Sequence, residues 1–174
     1  MYNWTLLKSI YSQGDVSMVI KKLELGYEFI EAFGRDLFYQ DSNVQSSFLD
    51  TETGEMIWIY EDGEDATLTY GIPEEENTAN QKRVKDNPER YLEVKGLDHG
   101  EHHGILLEFL DSQWTEDEEL RRKANEAYSG SIGRWKETVD NDDAVHLYYD
   151  YRDHIIESMA EEFLRKNGIE PVWK

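Results

Sequence analysis

Residues 48–65, FLDTETGEMIWIYEDGED, decide the fold class of this chain. Two segments rich in Phe, Leu, Ile, Trp and Tyr, residues 45–49 and 55–60, flank the polar connector 50–54, DTETG. A short polar connector that ends in glycine between two strand-like runs is typical of a β-hairpin. Gly54 suits a left-handed backbone position that closes such a turn. The stretch predicts a small antiparallel β-meander, with residues 66–72 as its third strand.

Helical periodicity lies on both sides of this meander. The N-terminal pattern predicts a helix over residues 16–33, with Asp15 as its N-cap and Gly34 after its last turn. Residues 73–88 are polar with a proline at each end, so they predict an exposed loop. Residues 90–94 are a short strand candidate.

From Asp98 onward, the pattern indicates a C-terminal half of about four helices. Asp98 is expected to cap the first, Thr115 the second through a capping box with Glu118, and Asp142 or Asp143 the longest. The predicted class is α+β, a single domain over residues 1–174 in which residues 1–15 pack loosely.

Composition narrows the class of protein further. The 174 residues include five Trp, eleven Tyr and six Phe, which favours a folded domain over a disordered chain. There is no cysteine, which rules out disulfides and thiolate metal sites and is compatible with a cytoplasmic protein. We expect no signal peptide and no membrane span, because no basic and apolar leader and no apolar run of about 18 residues occurs.

Charge is unevenly distributed along the chain. The 18 Lys and Arg residues against 38 Asp and Glu residues give a net charge of −20. From Asp36 to Gln81 there are 12 acidic residues and no basic ones, and from Gly96 to Leu120 there are eight and none. Such a field repels nucleic acid and anionic membranes and attracts basic partners. The candidate partner-binding residues are Asp50, Glu52, Glu61, Asp62, Glu64, Asp65, Glu74, Glu75 and Glu76.

The acidic residues of the opening stretch do not match a calcium loop. Counted from Asp50, the glycine that the loop needs at position six falls at position five, Gly54, and one ligand is missing. Their spacing therefore favours a hairpin connector.

Three histidines are the candidates for a metal site. On a helix, His99 and His103 stand one turn apart and can share a metal, with His102 between them. The HExxH pattern is absent, because position 100 is glycine. A metal-dependent hydrolase that uses His99, His102 and His103 with nearby carboxylates is the alternative function; the main interpretation expects no cofactor.

Aromatic residues and one arginine form a second candidate cluster, a possible recognition pocket. Helical spacing places Tyr148, Tyr151 and Arg152 together, with Trp135 on the preceding helix. The arginine either forms a structural salt bridge or lines the pocket. No nucleophile elbow and no glycine-rich phosphate loop occurs.

Several segments resemble one known family. They are 48–58 (FLDTETGEMIW), 88–94 (PERYLEV), 130–137 (GSIGRWKE), 151–153 (YRD) and 162–171 (EFLRKNGIEP). Their order and spacing resemble the uncharacterised bacterial protein family numbered 0158 in the UPF series, over residues 25–171. That family has no assigned activity, so the resemblance implies a fold and no catalytic residues.

Three functions remain open from the sequence. The first is a small, soluble, non-enzymatic binding or regulatory protein whose acidic surface engages a basic partner, for example a regulator, an inhibitor or a nucleic-acid mimic. The second is the histidine-based hydrolase. The third is a structural accessory subunit with a large apolar patch. The acidity can also serve solubility alone.

Overall fold

A computed structural model describes residues 20–37, 44–60, 71 and 73–174. The described elements are, in chain order, β1 Lys21–Leu25, α1 Glu28–Phe33, β2 Val44–Asp50, β3 Met56–Tyr60, α2 Glu74–Asp86, β4 Tyr91–Glu93, α3 His99–Asp111, α4 Glu118–Ala127, α5 Ile132–Val139, α6 Asp142–Lys166 and β5 Ile169–Trp173. The mixed helix and strand class is confirmed. Among the described helices, none is long and apolar enough to cross a membrane.

An antiparallel sheet with strand order β3-β2-β4 forms around the DTETG connector. The turn between β2 and β3 is closed by the Gly54 N–H, which donates to the Asp50 carbonyl at 2.8 Å. Gly54 has a φ of 79°, and a Cβ there would lie 2.0 Å from the carbonyl oxygen of Glu24. The turn therefore requires glycine both for its conformation and for its contact with β1. The third strand predicted at 66–72 lies, apart from Gly71, outside the described residues.

The N-terminal helix predicted over residues 16–33 is wrong over residues 21–27. Residues 21–25 form β1, in which Leu23 and Leu25 are buried and their neighbours are exposed, and only Glu28–Phe33 is helical. Apolar spacing over so short a stretch fits both a strand and a helix. The strand prevails because a partner strand reaches it from the other end of the chain. Asp15 and residues 16–19 lie outside the described part.

β5 is that partner, and no strand was predicted at its position. It pairs parallel with β1, in register from Lys21 with Ile169 to Leu25 with Trp173. Gly168, with a φ of 74°, ends α6 and turns the chain into this strand. Pro171 is tolerated because a two-stranded sheet consists of edge strands.

The loop predicted at 73–88 is instead the 13-residue helix α2. The helix lacks an apolar face, and its one buried residue is Asn77. The Asn77 side chain accepts from the Tyr60 N–H at 3.0 Å and donates to the Tyr60 carbonyl at 3.1 Å. A polar side chain thus attaches α2 to the edge of β3, which a search for apolar periodicity does not detect.

Two of the three predicted helix caps in the C-terminal half are wrong by a few residues. Asp98 caps α3 in a full capping box with Glu101. However, α4 is capped by Asp117 instead of Thr115, because the Asp117 carboxylate accepts from the Leu120 N–H at 3.0 Å. Asn141 caps α6 instead of Asp142 or Asp143, through the Ala144 N–H at 2.9 Å. Each of these three helices begins where a short polar side chain accepts a hydrogen bond from a free backbone N–H of the first turn.

The core joins both halves of the protein. Phe109 of α3 lies at its centre, with ring contacts to Trp114, Trp135, Tyr148 and Tyr151 at centroid distances of 4.8 to 6.1 Å. Buried side chains of β1, α1 and β5 belong to the same cluster. Many of the described aromatic residues therefore lie in this core or pack against it.

Candidate functional site

Asp50, a predicted partner-binding residue, is fully buried and cannot meet a partner. Its two carboxylate oxygens accept from Arg90 Nε at 2.8 Å and Arg90 Nη2 at 2.6 Å. One oxygen also accepts from the Glu52 N–H of the turn at 2.9 Å. Arg83 of α2 lies 3.8 Å from the other oxygen. Asp50 is thus a structural link between the hairpin turn, β4 and α2.

The protonation of Asp50 follows from these contacts. Burial raises the pKa of a carboxyl group, but the hydrogen bonds from Arg90 and from the Glu52 N–H outweigh burial and lower the pKa of Asp50 to about 2. The same pair raises the pKa of Arg90. The Asp50 carboxylate therefore stays ionised, and it pairs with arginine side chains of the same molecule.

Glu52 is exposed, yet it also pairs with Arg90, at 2.6 Å between Oε2 and Nη1. Its neighbour Glu55 pairs with Arg83 at 3.2 Å. The acidic residues of the hairpin turn thus meet the two arginines that follow in the chain. This pairing could have been suspected from the basic run at 82–95, which directly follows the acidic one.

The remaining acidic candidates divide into two sets. Glu74, Glu75 and Glu76 form the exposed first turn of α2. Among the residues that the structure describes, none of the three forms an ion pair. Glu61, Asp62, Glu64 and Asp65 lie outside the described residues.

Two members of the predicted aromatic pocket belong to the core instead. Trp135 is fully buried and its Nε1 donates to the Ala124 carbonyl at 2.9 Å, and Tyr148 is 2% exposed. Burial raises the pKa of Tyr148 to about 12. These residues hold α4, α5 and α6 together. In the sequence, large aromatic side chains such as these fit a structural role as well as a recognition pocket.

Tyr151 and Arg152 remain half-buried. Burial, followed by a hydrogen bond with Glu108, raises the pKa of Tyr151 to about 12. Arg152 donates to Asp153 at 2.6 Å and lies 4.7 Å from the Tyr149 ring centroid. It also lines a cavity of about 360 Å³, together with Tyr27, Ile30, Glu31, Gly34, Asp153 and Ile156. Of the four predicted pocket residues, Arg152 lines this cavity.

The three histidines do not converge on one point. His99 and His103 stack at 5.9 Å between ring centroids, and His103 hydrogen-bonds with the Tyr128 hydroxyl. His102 is 5% exposed and turns into the protein, where it hydrogen-bonds with the Arg35 backbone. Across the described part of the chain, no group of three or more His, Asp or Glu side chains is placed to hold a metal ion.

His102 has an environment that disfavours its protonated form. Burial lowers the pKa of His102, and the Arg152 charge lowers it further, while Asp36 and Glu101 act in the opposite direction. Its Nε2 is buried without a hydrogen-bond partner among the described residues. The neutral ring therefore serves the packing of α3 on the segment after α1.

A larger groove of about 560 Å³ lies beside the hairpin turn. It is lined by Gly26, Tyr27, Glu28, Thr53, Gly54, Glu55, Met56, Trp58 and Lys174. These residues come from the β1–α1 connection and the start of α1, from the hairpin turn and β3, and from the position directly after β5. The parallel pairing of β1 with β5 brings Lys174 next to the β1–α1 connection. Sequence reasoning missed the groove because it treated residues 16–33 as one helix. Gly26, in the middle of the predicted helix, was the available signal for a break there.

Comparison with known proteins adds no further assignment. No family model, no curated protein and no solved structure matches this chain.

Proposed function

We propose that this protein is a non-enzymatic binding or regulatory protein that engages a basic partner protein through an acidic surface. The surface comprises the exposed acidic residues between Asp36 and Gln81 and between Gly96 and Leu120. The proposal includes a cytoplasmic location and membership of the UPF family numbered 0158.

The internal use of the basic residues is the observation that carries this proposal. Most of the described basic side chains pair with carboxylates of the same molecule, namely Lys22, Arg83, Arg90, Lys95, Arg122, Lys123, Arg152, Arg165, Lys166 and Lys174. A net charge of −20 leaves a large excess of carboxylates that these pairs do not neutralise. Such an excess attracts basic partners and speeds their association.

The first turn of α2 is the best-defined part of this surface. Glu74, Glu75 and Glu76 are consecutive and exposed. The next residue, Asn77, is buried and bonds to Tyr60 on both its N–H and its carbonyl, which fixes this turn against the sheet. Three exposed carboxylates on a helix turn that is hydrogen-bonded to the sheet offer a contact for basic side chains.

A second part of the surface lies around the connection from α3 to α4. Glu108, Asp111, Glu116, Asp117 and Glu118 are all exposed there. Phe109 and Trp114 stack at 4.8 Å beneath this connection and hold it to the core. The acidic residues thus lie on an ordered part of the protein.

The proposal is tested by affinity capture from an extract of the cells that make the protein. The immobilised protein is incubated with the extract at low salt and at moderately high salt. We expect one or more basic proteins to be retained at low salt and released at high salt, because screening weakens recognition between exposed charges. Each retained protein is then purified, and its affinity is measured directly.

Matched charge variants separate a specific surface from general acidity. Glu74→Gln, Glu75→Gln and Glu76→Gln together remove three unpaired carboxylates. The control combines Glu126→Gln, Glu162→Gln and Glu170→Gln, which removes three exposed carboxylates that each pair with a basic residue. The first variant should weaken binding of the purified partner and the control should not. An equal loss of partner binding in the two triple variants, or the absence of a salt-sensitive partner, would mean that the acidic residues serve solubility alone.

A further inference from the structure

Tyr27 separates two neighbouring cavities. Its side chain is 57% exposed and lines both the groove of about 560 Å³ beside the hairpin turn and the cavity of about 360 Å³ beside Arg152. Both cavities are open to solvent, so side chains of an extended peptide can enter them. A peptide that crosses Tyr27 can place one side chain in each cavity.

Carboxylates lie in both cavities. Glu28 and Glu55 line the larger groove, and Glu31 and Asp153 line the smaller cavity. Glu28 and Glu31 are three residues apart on α1, so they lie on one face of the helix. Neither forms an ion pair within the described part of the chain, whereas Glu55 pairs with Arg83 and Asp153 with Arg152.

The Glu28 carboxylate lies beside Gly26 at the groove. It folds back over the turn before α1, where a Cβ on Gly26 would lie 2.0 Å from Glu28 Oε2. Gly26 itself lines the groove. A side chain at position 26 would therefore compete with this carboxylate for space.

One aromatic residue of the groove, Trp58, already contacts a cationic side chain of the same molecule. The Arg35 guanidinium lies 5.7 Å from the ring centroid of Trp58, another residue of the groove. Arg35 Nε and Nη1 are buried without a hydrogen-bond partner among the described residues. An aromatic ring next to carboxylates is the combination that recognises lysine and arginine side chains.

Lys174 is the basic residue within the larger groove. Its backbone N–H extends the β1–β5 pairing by donating to the Leu25 carbonyl at 3.0 Å. Its ammonium group pairs with the exposed Glu24 at 3.4 Å and is itself 60% exposed. The Lys174 charge is thus directed to a carboxylate outside the lining, which leaves Glu28 available.

We propose that Tyr27, flanked by Glu28 and Glu31, is the docking point for lysine or arginine side chains of an extended basic peptide segment that crosses both cavities. This inference rests on the proposed function, because it locates where a basic partner inserts its side chains. It adds a specific aromatic contact that a purely electrostatic surface does not need.

The test uses a fluorescently labelled synthetic peptide of alternating glycine and arginine, whose affinity for the full chain is measured by anisotropy at low salt. Tyr27→Leu keeps the apolar bulk and removes the π face, while Tyr27→Phe keeps the ring. We expect Tyr27→Leu to weaken binding about threefold and Tyr27→Phe to bind like the wild type. Melting temperatures of all variants show that the fold is retained.

The charge contribution is tested with a matched pair of double variants. Glu28→Gln with Glu31→Gln should weaken peptide binding by about threefold or more, whereas Glu126→Gln with Glu162→Gln should change it little. Binding that is unchanged in Tyr27→Leu, or reduced equally by the two double variants, would overturn this docking point while leaving the acidic binding protein intact. Absence of a salt-sensitive partner in the capture experiment would instead remove the proposed function itself.

Discussion

Asp50 illustrates how burial changes the role of a single acidic residue. By position it belongs to a run of acidic residues. However, its carboxylate is fully buried and accepts hydrogen bonds from Nε and Nη2 of Arg90. A bidentate pair of this kind fixes geometry as well as charge. The acidity of the DTETG turn is therefore partly structural.

Replacing Asp50 by asparagine should strongly destabilise the protein. Asp50→Asn leaves Arg90 and Arg83 without their buried partner, which should lower the free energy of unfolding by about 3 kcal/mol. Urea denaturation of both proteins measures the difference. The exposed pair of Glu55 and Arg83 gives the control, because Glu55→Gln should lower the free energy of unfolding by less than about 1 kcal/mol. Similar losses in the two variants would contradict the central role of Asp50.

Acid titration checks the same contact independently. The pKa of Asp50 is lowered from 3.8 to about 2, so its stabilising contribution is complete above the unfolded value and is lost as pH falls through the folded value. The difference in unfolding free energy between the wild type and Asp50→Asn should therefore shrink between about pH 4 and pH 2. A difference that stays constant over this window would argue against the ionised pair.

His102 should make stability depend on pH near neutrality. Because burial lowers the pKa of His102 below 6.5, the unfolded chain takes up a proton more readily than the folded one. Stability should be complete above about pH 6.5 and decline as pH falls below it. His102→Asn should make the free energy of unfolding fall less steeply as the pH is lowered. Urea denaturation of both proteins between about pH 7.5 and about pH 5 measures this difference. Identical slopes would exclude His102 as the source.

At the level of elements, the contact between the hairpin turn and β1 depends on Gly54. Its φ of 79° and its approach to the Glu24 carbonyl leave no room for a side chain. Gly71 offers a matched comparison, because its φ is 67° but nothing in the described part of the chain lies within 4 Å of its potential Cβ.

The two glycines should respond differently to alanine. Gly71→Ala should lower the free energy of unfolding by about 1 kcal/mol, because alanine disfavours this backbone conformation. Gly54→Ala should lower it by at least about 2 kcal/mol, because the clash of its Cβ with the Glu24 carbonyl adds to the conformational cost. Thermal or urea denaturation measures both. Equal costs would mean that the turn moves away from β1 without loss.

The attachment of α2 to β3 should depend on Asn77. Asn77→Ala removes two hydrogen bonds to the Tyr60 backbone and leaves buried groups unsatisfied, with an expected loss of about 2 kcal/mol. Amide hydrogen exchange at Tyr60 should accelerate. Asn77→Asp can still accept from the Tyr60 N–H but cannot donate to its carbonyl, so its exchange rate should be intermediate. Unchanged exchange in both variants would contradict this attachment.

At the level of the whole molecule, repulsion among the carboxylates should limit stability. Salt weakens surface ion pairs and like-charge repulsion alike, but a net charge of −20 makes repulsion the larger effect. The melting temperature should rise by roughly several degrees when sodium chloride is raised from about 0.01 M to 0.3 M. Replacing Glu74, Glu75 and Glu76 by glutamine should reduce this rise. A melting temperature that falls with salt would show that internal ion pairs dominate.

Local signals were sufficient for a large part of the architecture. The mixed helix and strand class follows from apolar periodicity and turn residues that act within a few positions of one another. The capping box of α3 is of this kind, since Asp98 and Glu101 are neighbours in sequence. By contrast, α2 has no apolar face, and its anchor is a polar contact with a residue on another element.

By itself, the sequence determined the α+β class, the absence of disulfides and the net negative charge, because these depend on composition and on short-range patterns. Only the tertiary structure decided that residues 21–25 are a strand, since their partner β5 lies at the far end of the chain. It also decided that Asp50, Trp135 and Tyr148 are internal, and that Tyr27 with Glu28 and Glu31 faces two cavities. The physical reason is the same in each case: burial and neighbourhood depend on contacts between distant segments, which residue types and local spacing do not specify.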